Sequence, residues 1–381
     1  MRIGIDIRPL RDTMTGIGRY LIQMLRALSA KDVNNEYILF YNCFKGGTPR
    51  GIPDDNNFRL ATFRWPNKLL TALWGFTEYP KVESFIGDID VFHSPSFQVP
   101  PSSGSARVFT VYDLIPLTHP EWAIPSAVRH FKPRVRHYAR RADLIVGISK
   151  ATARDVVEYL KVPEEKVVTV YPGTTSLIRA SEDKIRTAKE RYNISGNYFL
   201  FVSRLDPRKN LTRLFKAFER SGLSTDFEFV VAGPKGWRME EMLKTWNTVK
   251  CRDRIRRIDY VADDDLSALY SGASFFVYPS LVEGFGLPIL EAMSVGCPVL
   301  TSNVSSMPEV AGDAVLYVDP CDIDSIADGL CKMASDSDLR QKLTLSGYER
   351  VRIFTWEKTA AEMIAIYERV HESFGKKTGI L

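Results

Sequence analysis

The segment SFFVYPSLVEGFGLPILEAMSVGCPVLTS, residues 274–302, decides the fold class. It opens with the apolar run SFFVYPS, passes through a glycine-rich loop into the helical pattern PILEAMSVG, and ends with the apolar run CPVLTS. Nearly continuous apolar runs of this length are typical of strands that are buried on both faces. A strand, a helix and a second strand in this order predict a parallel β-α-β unit.

The same alternation extends along the rest of the chain. Upstream lie the predicted strand 198–203, the helical pattern 210–222 and the predicted strand 227–233. The first half adds a helix from about Gly18 to Ala30, a helix that Ser149 is expected to cap, and four predicted strands: Arg2–Ile7, Tyr37–Tyr41, Arg107–Tyr112 and Asp143–Ile148. We therefore predict an α/β protein with two doubly wound, Rossmann-like domains whose parallel sheets face each other across a cleft.

A chain of 381 residues is longer than one hydrophobic core usually supports, which also favours two domains. The segment YPGTT, residues 171–175, and a charged helical stretch after it mark the boundary. We predict an N-terminal domain over residues 1–185 and a C-terminal domain over 186–355. The terminal helix, 356–381, is expected to complete the second domain or to pack back on the first.

Composition excludes several classes of protein. The chain is 45% hydrophobic and 25% charged, as soluble globular proteins are, and its net charge of +5 is too mild for a nucleic-acid-binding protein. Its five cysteines are dispersed, which indicates neither a disulfide framework nor a zinc site. Because no signal peptide or membrane-spanning run is apparent, we expect a cytoplasmic protein. The basic run 129–141 indicates a solvated helix face or, alternatively, peripheral contact with anionic lipid at the inner membrane face or with an acceptor phosphate.

A cationic loop follows the predicted strand 198–203. Arg204, Arg208 and Lys209 precede a helix for which Asn210 is the predicted N-cap. The N-terminus of a helix already attracts anions, so cations gathered there indicate a bound anion such as a diphosphate. The alternative is a plain surface loop with charges at the end of a helix.

Two glutamates lie in and beside the glycine-rich loop. Glu283 is in the loop itself, and Glu291 falls about one turn inside the helix that Pro288 begins. Helical side chains lean toward the N-terminus, so both carboxylates are expected to face one cleft, where each could accept hydrogen bonds from a sugar diol. Gly284 and Gly286 let the backbone approach a ligand closely. An acidic residue that complements the helix dipole would explain Glu291 alone.

The ordered set of motifs resembles the retaining glycosyltransferases of family 4. In the second half these motifs are SRLDPRKN (203–210), EGFGLPILEAMSVGCPVL (283–300) and SSMPEVAGDA (305–314). In the first half they are GIDIRPLRDTMTGIGRY (4–20), DVFHSPSF (90–97), VYDLIPLTHPEW (111–122) and GISKATARDV (147–156). Each motif alone is weak, but the set covers essentially the whole chain. The resemblance implies the GT-B architecture, with an acceptor-side N-terminal domain and a nucleotide-sugar-binding C-terminal domain.

The resemblance also implies roles for individual residues. Arg204 and Lys209 would bind the donor diphosphate, Glu283 would bind hydroxyls of the transferred sugar, and Glu291 would bind the ribose. Backbone amides complete the donor cradle at Phe285, Gly286 and Leu287. The donor is a nucleoside-diphosphate sugar, and no metal or other cofactor is expected.

Further candidates lie in the first half. Gly16 and Gly18 precede a predicted helix and would lie near the donor, although a tight turn explains either glycine alone. Many relatives have a histidine where this chain has Tyr112, followed by Asp113. Tyr112 is expected either to supply a phenolic hydrogen bond or to be a buried strand residue. His93, Tyr112 and Asp113 are the candidates for contact with the acceptor or for catalysis.

The sequence thus predicts a hexosyltransferase that acts on a saccharide or lipid-linked saccharide acceptor with retention of configuration. Its motifs look most similar to those of mannosyltransferases of polysaccharide assembly. This resemblance favours GDP-mannose over a dTDP-rhamnose or UDP-sugar donor. A non-catalytic two-domain sugar-binding protein would share the architecture but would have no use for the cationic loop. A nicotinamide oxidoreductase would need G-x-G-x-x-G after a strand, and Leu21 breaks that pattern.

Overall fold

The computed structural model describes residues 1–11, 16–44, 46–175, 177–259 and 261–378. The chain divides into two compact units, the first formed by residues 1–173 and 354–381 and the second by residues 174–353. Each unit is built on one parallel sheet with helices between its strands. The predicted α/β class with two Rossmann-like domains is confirmed.

Within the described residues, the first unit has a seven-stranded parallel sheet of order β3-β2-β1-β4-β5-β6-β7. Its strands are β1 (Arg2–Asp6), β2 (Glu36–Asn42), β3 (Phe58–Phe63), β4 (Val91–Ser94), β5 (Ala106–Val111), β6 (Leu144–Gly147) and β7 (Val167–Thr169). The four strands predicted in this half agree with β1, β2, β5 and β6 to within one residue at each end. The strand order reverses beside β1, which is the place where such sheets open a ligand crevice.

The helices of the first unit cover both faces of this sheet. They are α1 (Gly16–Lys31), α2 (Asn67–Phe76), α3 (Glu83–Ile86), α4 (Ile115–Thr118), α5 (Pro125–Arg141) and α6 (Lys150–Leu160). Helix α1 buries Leu21, Leu25 and Leu28 on one face, at the spacing of an amphipathic helix. Ser149 caps α6 as predicted, since its side chain accepts a hydrogen bond from the Thr152 amide at 3.0 Å.

The second unit has, among the described residues, a six-stranded parallel sheet of order β10-β9-β8-β11-β12-β13. Its elements in chain order are α7 (Glu182–Arg191), β8 (Asn197–Val202), α8 (Leu211–Ser221), β9 (Phe227–Ala232), α9 (Glu240–Thr248), β10 (Ile255–Ile258), α10 (Asp263–Gly272), β11 (Phe275–Tyr278), α11 (Leu287–Ser294), β12 (Val299–Ser302), α12 (Met307–Ala311), β13 (Val315–Val318), α13 (Ile323–Ser335) and α14 (Ser337–Val351). Phe199 of β8 stacks between Phe229 and Phe275 of the neighbouring strands. The predicted strand-helix-strand unit over 274–302 is confirmed as β11, α11 and β12.

The boundary between the units lies earlier than the predicted position after residue 185. The segment before α7 is hydrogen-bonded within the second unit, where the Ala180 amide donates to Ser271 and Arg179 donates to the Val295 carbonyl, each at 3.0 Å. Helix α7 then packs against α10. These contacts tie residues 174–185 to the second unit and explain the difference.

The terminal helix α15 (Trp356–Thr378) belongs to the first unit. It buries Met363, Tyr367 and Val370 on one face and packs against α1 and β5. Trp356 meets the ring of Tyr20 of α1 edge-on, with 5.4 Å between ring centroids. The helix therefore does not complete the second domain, which was one of the two expectations.

Candidate active site

The two loops that sequence analysis singled out lie side by side in the second unit. Strands β8 and β11 are hydrogen-bonded neighbours, and the order of the sheet reverses between them. The cationic loop follows β8, and the glycine-rich loop follows β11. Both therefore leave the carboxyl edge of the sheet at its topological switch point, where ligands of doubly wound folds bind.

Asn210 connects these two loops and does not cap α8. Its backbone is left-handed, with φ of 65°, and its side chain makes no capping hydrogen bond. The side-chain amide instead donates to the carbonyls of Pro279, at 3.0 Å, and Pro320, at 2.7 Å. The predicted N-cap role is thus wrong for the side chain, because its Oδ1, the atom that could cap the helix, accepts instead from the Arg213 guanidinium at 3.1 Å.

Glu283 lies at the centre of an ionic cluster. Lys209 and the Tyr278 hydroxyl both donate to its Oε1, the latter at 2.8 Å, and Arg208 donates to its Oε2. Lys209 also donates to the Tyr278 hydroxyl. Glu283 and Lys209 are both buried, with 8% and 4% of their surfaces exposed. The structure therefore brings Lys209 and Glu283 into direct contact, as charge-assisted partners.

The electrostatics of the cluster keep Glu283 ionised. Burial alone would raise the pKa of its carboxyl, but the charges of Arg208 and Lys209 and the hydrogen bond from Tyr278 together lower that pKa to about 2. Burial lowers the pKa of the Lys209 ammonium, and the Glu283 charge opposes that change. Lys209 has three N–H donors and uses two of them within the cluster, so one is left for a ligand.

Arg204 is the exposed cation of the same loop. Among the described residues, its guanidinium has no hydrogen-bond or ion-pair partner. Asp206, two residues later, is buried and lies 3.4 Å from Arg208, and burial raises the pKa of its carboxyl. The cluster therefore has three cations, of which the Arg204 guanidinium is unengaged, and two carboxylates, with one positive charge in excess when all are ionised.

Two serines after β12 fix the backbone of the glycine-rich loop. Ser305 accepts a hydrogen bond from the Glu283 amide at 3.1 Å and donates to the Glu283 carbonyl at 2.9 Å. Ser306 donates to the carbonyls of Glu283 and Phe285. Gly286 precedes α11 with φ of +117°, a conformation that a side chain would strain. The loop is thus held rigidly where the predicted donor amides of residues 285–287 lie.

Leu287 begins helix α11, and the first amides of a helix have no intrahelical partner. In α11, however, Pro288 has no N–H and the Ile289 amide donates to the Gly286 carbonyl at 3.0 Å, so this end of the helix offers an anion the Leu287 amide but not the next two. Glu291 lies one turn further along, and its Oε2 accepts a hydrogen bond from Tyr270 of α10 at 3.2 Å. Glu291 is therefore positioned by a different partner from those that hold Glu283.

The glycines of the first unit lie within α1 and not before it. The helix begins at Gly16, two residues earlier than predicted, so that Gly16 and Gly18 both fall in its first turn. Gly16 is exposed and Gly18 is buried. The preceding residues 12–15 lie outside the described residues.

Tyr112 and Asp113 follow β5 at the carboxyl edge of the first sheet. Tyr112 is buried, and its hydroxyl donates to the Pro95 carbonyl at 3.0 Å; a phenolic hydrogen bond to a substrate stays a prediction. Asp113 is half-buried, and its Oδ1 accepts from the Ile115 amide at 3.1 Å. Neither residue carries an imidazole's capacity for proton transfer near neutral pH.

His93 is enclosed in the core of the first unit. Its side chain is fully buried in β4, and its ring nitrogens pair with the hydroxyls of Thr110 and Tyr367 at 2.8 Å each. Burial lowers the pKa of this imidazole to about 3, against the opposing charge of Asp6. The suggestion that His93 contacts the acceptor is at odds with this placement, and we remove it from the candidates.

Sequence reasoning missed several residues of the site. Tyr278, Tyr270 and Asp206 contact or flank the glutamates and the cationic loop. Tyr278 could have been found as the polar end of an apolar strand that opens directly into the loop of Glu283. Asp206 lies within the cationic loop and could have been found there, whereas Tyr270 is on α10, 21 residues before Glu291, so the linear pattern gave no signal for its contact.

Comparisons with known proteins identify the family of the chain. The pattern of the family described as "Glycosyl transferases group 1" matches residues 183–350, and that of "Glycosyltransferase Family 4" matches residues 14–175. O-antigen chain mannosyltransferase B of Escherichia coli is 30% identical over 97% of this chain and 100% of its own length. The chain belongs to glycosyltransferase family 4. It is a hexosyltransferase, as the motifs predicted.

Solved structures of other proteins share the fold. Sucrose-phosphate synthase from Thermosynechococcus elongatus matches 98% of this chain and 99% of its own with a TM-score of 0.75, at 20% identity. HepE from Anabaena, solved in complex with UDP and glucose, matches 97% of this chain and 100% of its own with a TM-score of 0.73, at 16% identity. These matches confirm the predicted GT-B fold. Across the described residues of this family member, no helix has both the length and the apolar character needed to cross a membrane.

Proposed function

We propose that this chain transfers a mannosyl unit from GDP-mannose to a saccharide or lipid-linked saccharide acceptor, with retention at the anomeric carbon. The mannosyl assignment is supported by the O-antigen mannosyltransferase that is similar over its whole length. Retention is supported by the motifs of residues 203–210 and 283–300, which resemble those of the retaining members. The enzymatic assignment leaves no place for a non-catalytic sugar-binding protein.

The observation that carries the proposal is the cluster of Lys209, Arg208 and Glu283 at the switch point of the second sheet. A nucleoside-diphosphate sugar has a dianionic linker between a ribose diol and a hexose diol. Lys209 and the exposed Arg204 supply cations for the diphosphate, and the two glutamates supply acceptor oxygens for the diols. The ligand and the site thus match in both charge and order.

The same residues support a mechanism. Charge accumulates on the diphosphate as the glycosidic bond breaks, and fixed cations stabilise that charge more than the ground state. Glu283, ionised and close to the sugar, would favour positive charge that develops at the anomeric carbon. The departing diphosphate oxygen would then take the proton from the attacking hydroxyl on the same face, which is consistent with retention.

We propose further that transfer needs no metal ion, since Arg204 and Lys209 can neutralise the diphosphate directly. Activity should persist in excess EDTA and should not rise when Mg²⁺ or Mn²⁺ is added. A complete loss of transfer in EDTA that Mg²⁺ restores would refute this part of the proposal alone.

A panel of nucleotides and donors tests the proposal as a whole. Thermal unfolding is measured with GDP, UDP, dTDP and ADP, followed by transfer assays with the corresponding sugar donors. A ligand at 100 times its Kd stabilises the folded state by about 2.7 kcal/mol, which is readily detected. We expect the largest shift with GDP and product only from GDP-mannose, with an axial anomeric linkage by NMR. A preference for dTDP-rhamnose or a UDP-sugar would replace the donor, and an equatorial mannosyl linkage would refute retention.

A further inference from the structure

The first unit contains a cavity at the amino edge of its sheet, at the opposite ends of the strands from Tyr112 and Asp113. Its volume is about 420 Å³, within the range of small-molecule sites. We call it the amino-edge cavity. It lies where β5, β6 and β7 begin and where the second half of α15 crosses them, and the residues that the argument uses are Arg107, Arg140, Asp143, Lys166, Arg369 and Val370.

Cations dominate the lining of the amino-edge cavity. Five basic side chains border it against two carboxylates, those of Asp143 and Glu165. Asp143 is already paired with Arg107, whose Nε lies 3.2 Å from its Oδ2. Glu165 is exposed at the rim. The electrostatic field inside the cavity is therefore positive.

Two of these cations, Arg141 and Lys166, form hydrogen bonds within the protein. Arg141 is buried and donates to the carbonyls of Trp74 and Val99, at 2.9 and 3.0 Å, and to Glu78 at 2.8 Å. Lys166 donates one hydrogen bond to the Arg140 carbonyl at 3.1 Å. These contacts hold the walls of the cavity together, and they leave the remaining cations for another purpose.

Arg140 and Arg369 differ from them in their hydrogen bonding. In the part of the chain that the structure describes, neither guanidinium has a hydrogen-bond or ion-pair partner. Arg140 lies in the last turn of α5 and Arg369 is on α15, so that two separate helices contribute arginines to one cavity. Like charges gathered around a concave site repel one another unless an anion lies between them.

The chemistry of the lining favours phosphate. Guanidinium groups bind phosphate oxygens through two parallel hydrogen bonds, and a phosphate ester carries enough charge to balance two arginines. The lining also includes the buried apolar residues Val370 and Leu144. Apolar residues together with cations suit a phosphate ester whose organic part contacts Val370 and whose phosphate binds the arginines.

This cavity lies far from the candidate acceptor residues of the same unit. Strand β5 has six residues and is about 20 Å long at roughly 3.3 Å per residue. Arg107 lies near its first residue, and Tyr112 follows its last. The cavity is therefore separated from the candidate acceptor residues of the same unit by the length of the strand.

We infer that the amino-edge cavity binds a phosphate-bearing ligand, with Arg140 and Arg369 as the groups that hold its phosphate. The phosphate can belong to a soluble ester or to the headgroup of an anionic phospholipid. The site is independent of the proposed donor and acceptor.

The test compares three forms of the full chain: the wild type, the double variant Arg140→Gln/Arg369→Gln, and the control Arg129→Gln/Lys132→Gln. The control removes two exposed cations of α5 that do not line the cavity, so the net charge of both variants is the same. Binding of inorganic phosphate and of glycerol 3-phosphate is measured by calorimetry at constant ionic strength. Binding to vesicles of phosphatidylcholine, with and without phosphatidylglycerol, is measured by sedimentation.

We expect at least one of these probes to bind the wild type and the control equally and the cavity variant at least tenfold more weakly. A loss seen with glycerol 3-phosphate identifies a soluble ester, and a loss seen only with phosphatidylglycerol vesicles identifies a lipid headgroup. Phosphate bound at the loop of Arg204 is common to all three proteins and cancels in the comparison. Equal binding by all three forms, or an equal loss in the cavity variant and the control, would overturn the inference.

Discussion

Lys209 and Glu283 are bound to each other across the carboxyl ends of two neighbouring strands, in a setting where both side chains are buried. Tyr278 bridges them, and Arg208 occupies the other oxygen of Glu283. The carboxylate is thus oriented and ionised before a sugar arrives. Part of the site is preorganised, which is how enzymes avoid reorganising charged groups during the reaction.

Replacing Lys209 by methionine tests the diphosphate role. Loss of one fixed donor at a developing charge typically costs a factor of about 100–1,000 in kcat. Breaking a buried ion pair from one side also destabilises a protein by about 3–5 kcal/mol, since Glu283 is left with fewer partners. We therefore expect a lower midpoint of thermal unfolding together with a large loss of transfer in the fraction that remains folded.

The matched control is Lys216→Met, which makes the same change at an exposed position of α8. It should retain both stability and activity. Rates are measured at a temperature where both variants are folded. Wild-type turnover by folded Lys209→Met would remove Lys209 from the catalytic residues and leave it a purely structural role.

Glu283 should make stability depend on pH in the acidic range. Its pKa is about 2 in the folded state and ordinarily 4.5, so its ionised form stabilises the fold above pH 4.5. That stabilisation is lost as the pH falls from 4.5 toward 2. In Glu283→Gln the unfolding free energy should therefore fall less steeply over this window than in the wild type.

Glu228 provides a control, because its pKa is lowered as that of Glu283 is, while it lies outside the candidate site. It is buried in β9, and hydrogen bonds from Ser195 and Arg256 help to lower the pKa of its carboxyl to about 2, although burial alone would raise it. Glu228→Gln, like Glu283→Gln, should make the unfolding free energy fall less steeply between pH 4.5 and 2. Only Glu283→Gln should lose transfer. If the unfolding free energy of Glu283→Gln depends on pH below 4.5 as that of the wild type does, the ionic cluster is contradicted.

Glu291 should contribute to nucleotide affinity through the ribose. We expect Glu291→Gln to raise the Kd for the nucleotide about tenfold, which corresponds to about 1.4 kcal/mol. Tyr270→Phe keeps the carboxylate but removes the hydrogen bond that orients it, and should raise the Kd by a smaller factor. Calorimetry with the preferred nucleotide measures both. If Glu291→Gln binds the nucleotide as the wild type does, the ribose assignment fails.

The fold was largely predictable because buried parallel strands have nearly continuous apolar sequences. β8, β9 and β11 are such runs, and each was predicted. The edge strands β3, β7, β10 and β13 were not; β3, for example, is half exposed, and β10, Ile255–Ile258, has two arginines at its centre. A strand that is covered on one side has less need of apolar residues, so its sequence resembles a loop.

The site was predictable in its charges but not in its contacts. Arg204, Lys209 and Glu283 stand out because charged residues directly follow buried strands. That Asn210 would give its amide to Pro279 and Pro320 could not be foreseen, because residues 69 and 110 positions apart meet only in the folded sheet. The sequence likewise could not show what His93 contacts, although a lone histidine is more often structural. Its partner Tyr367 lies on the terminal helix, 274 residues away.

His93 should matter for stability and not for chemistry. Both ring nitrogens are hydrogen-bonded in the core, and the pKa of about 3 keeps the ring neutral at assay pH. Tyr367→Phe deletes the hydroxyl partner of Nδ1, and leaving a buried donor or acceptor unsatisfied costs about 1–3 kcal/mol. We expect His93→Phe and Tyr367→Phe each to lower the unfolding free energy and to leave kcat and the acceptor KM per folded molecule unchanged. A selective rise in the acceptor KM of His93→Phe would restore His93 to the acceptor site.

Gly16 allows the ligand-approach hypothesis to be separated from folding. A Cβ added at Gly16 would meet no atom within 4 Å, and the residue begins α1 without a positive φ. Alanine should therefore be tolerated by the fold and could even stabilise the first turn, by up to about 1 kcal/mol.

Gly75 in α2 has equally open surroundings and is far along the chain from the family motifs, so Gly75→Ala is the matched control. If Gly16 lies against the donor or acceptor, the added methyl group will lower kcat/KM at least tenfold in Gly16→Ala and leave Gly75→Ala unaffected, with equal unfolding temperatures. Equal kcat/KM values for the two variants would mean that no ligand group comes close to this end of α1, and that the glycine serves the turn alone.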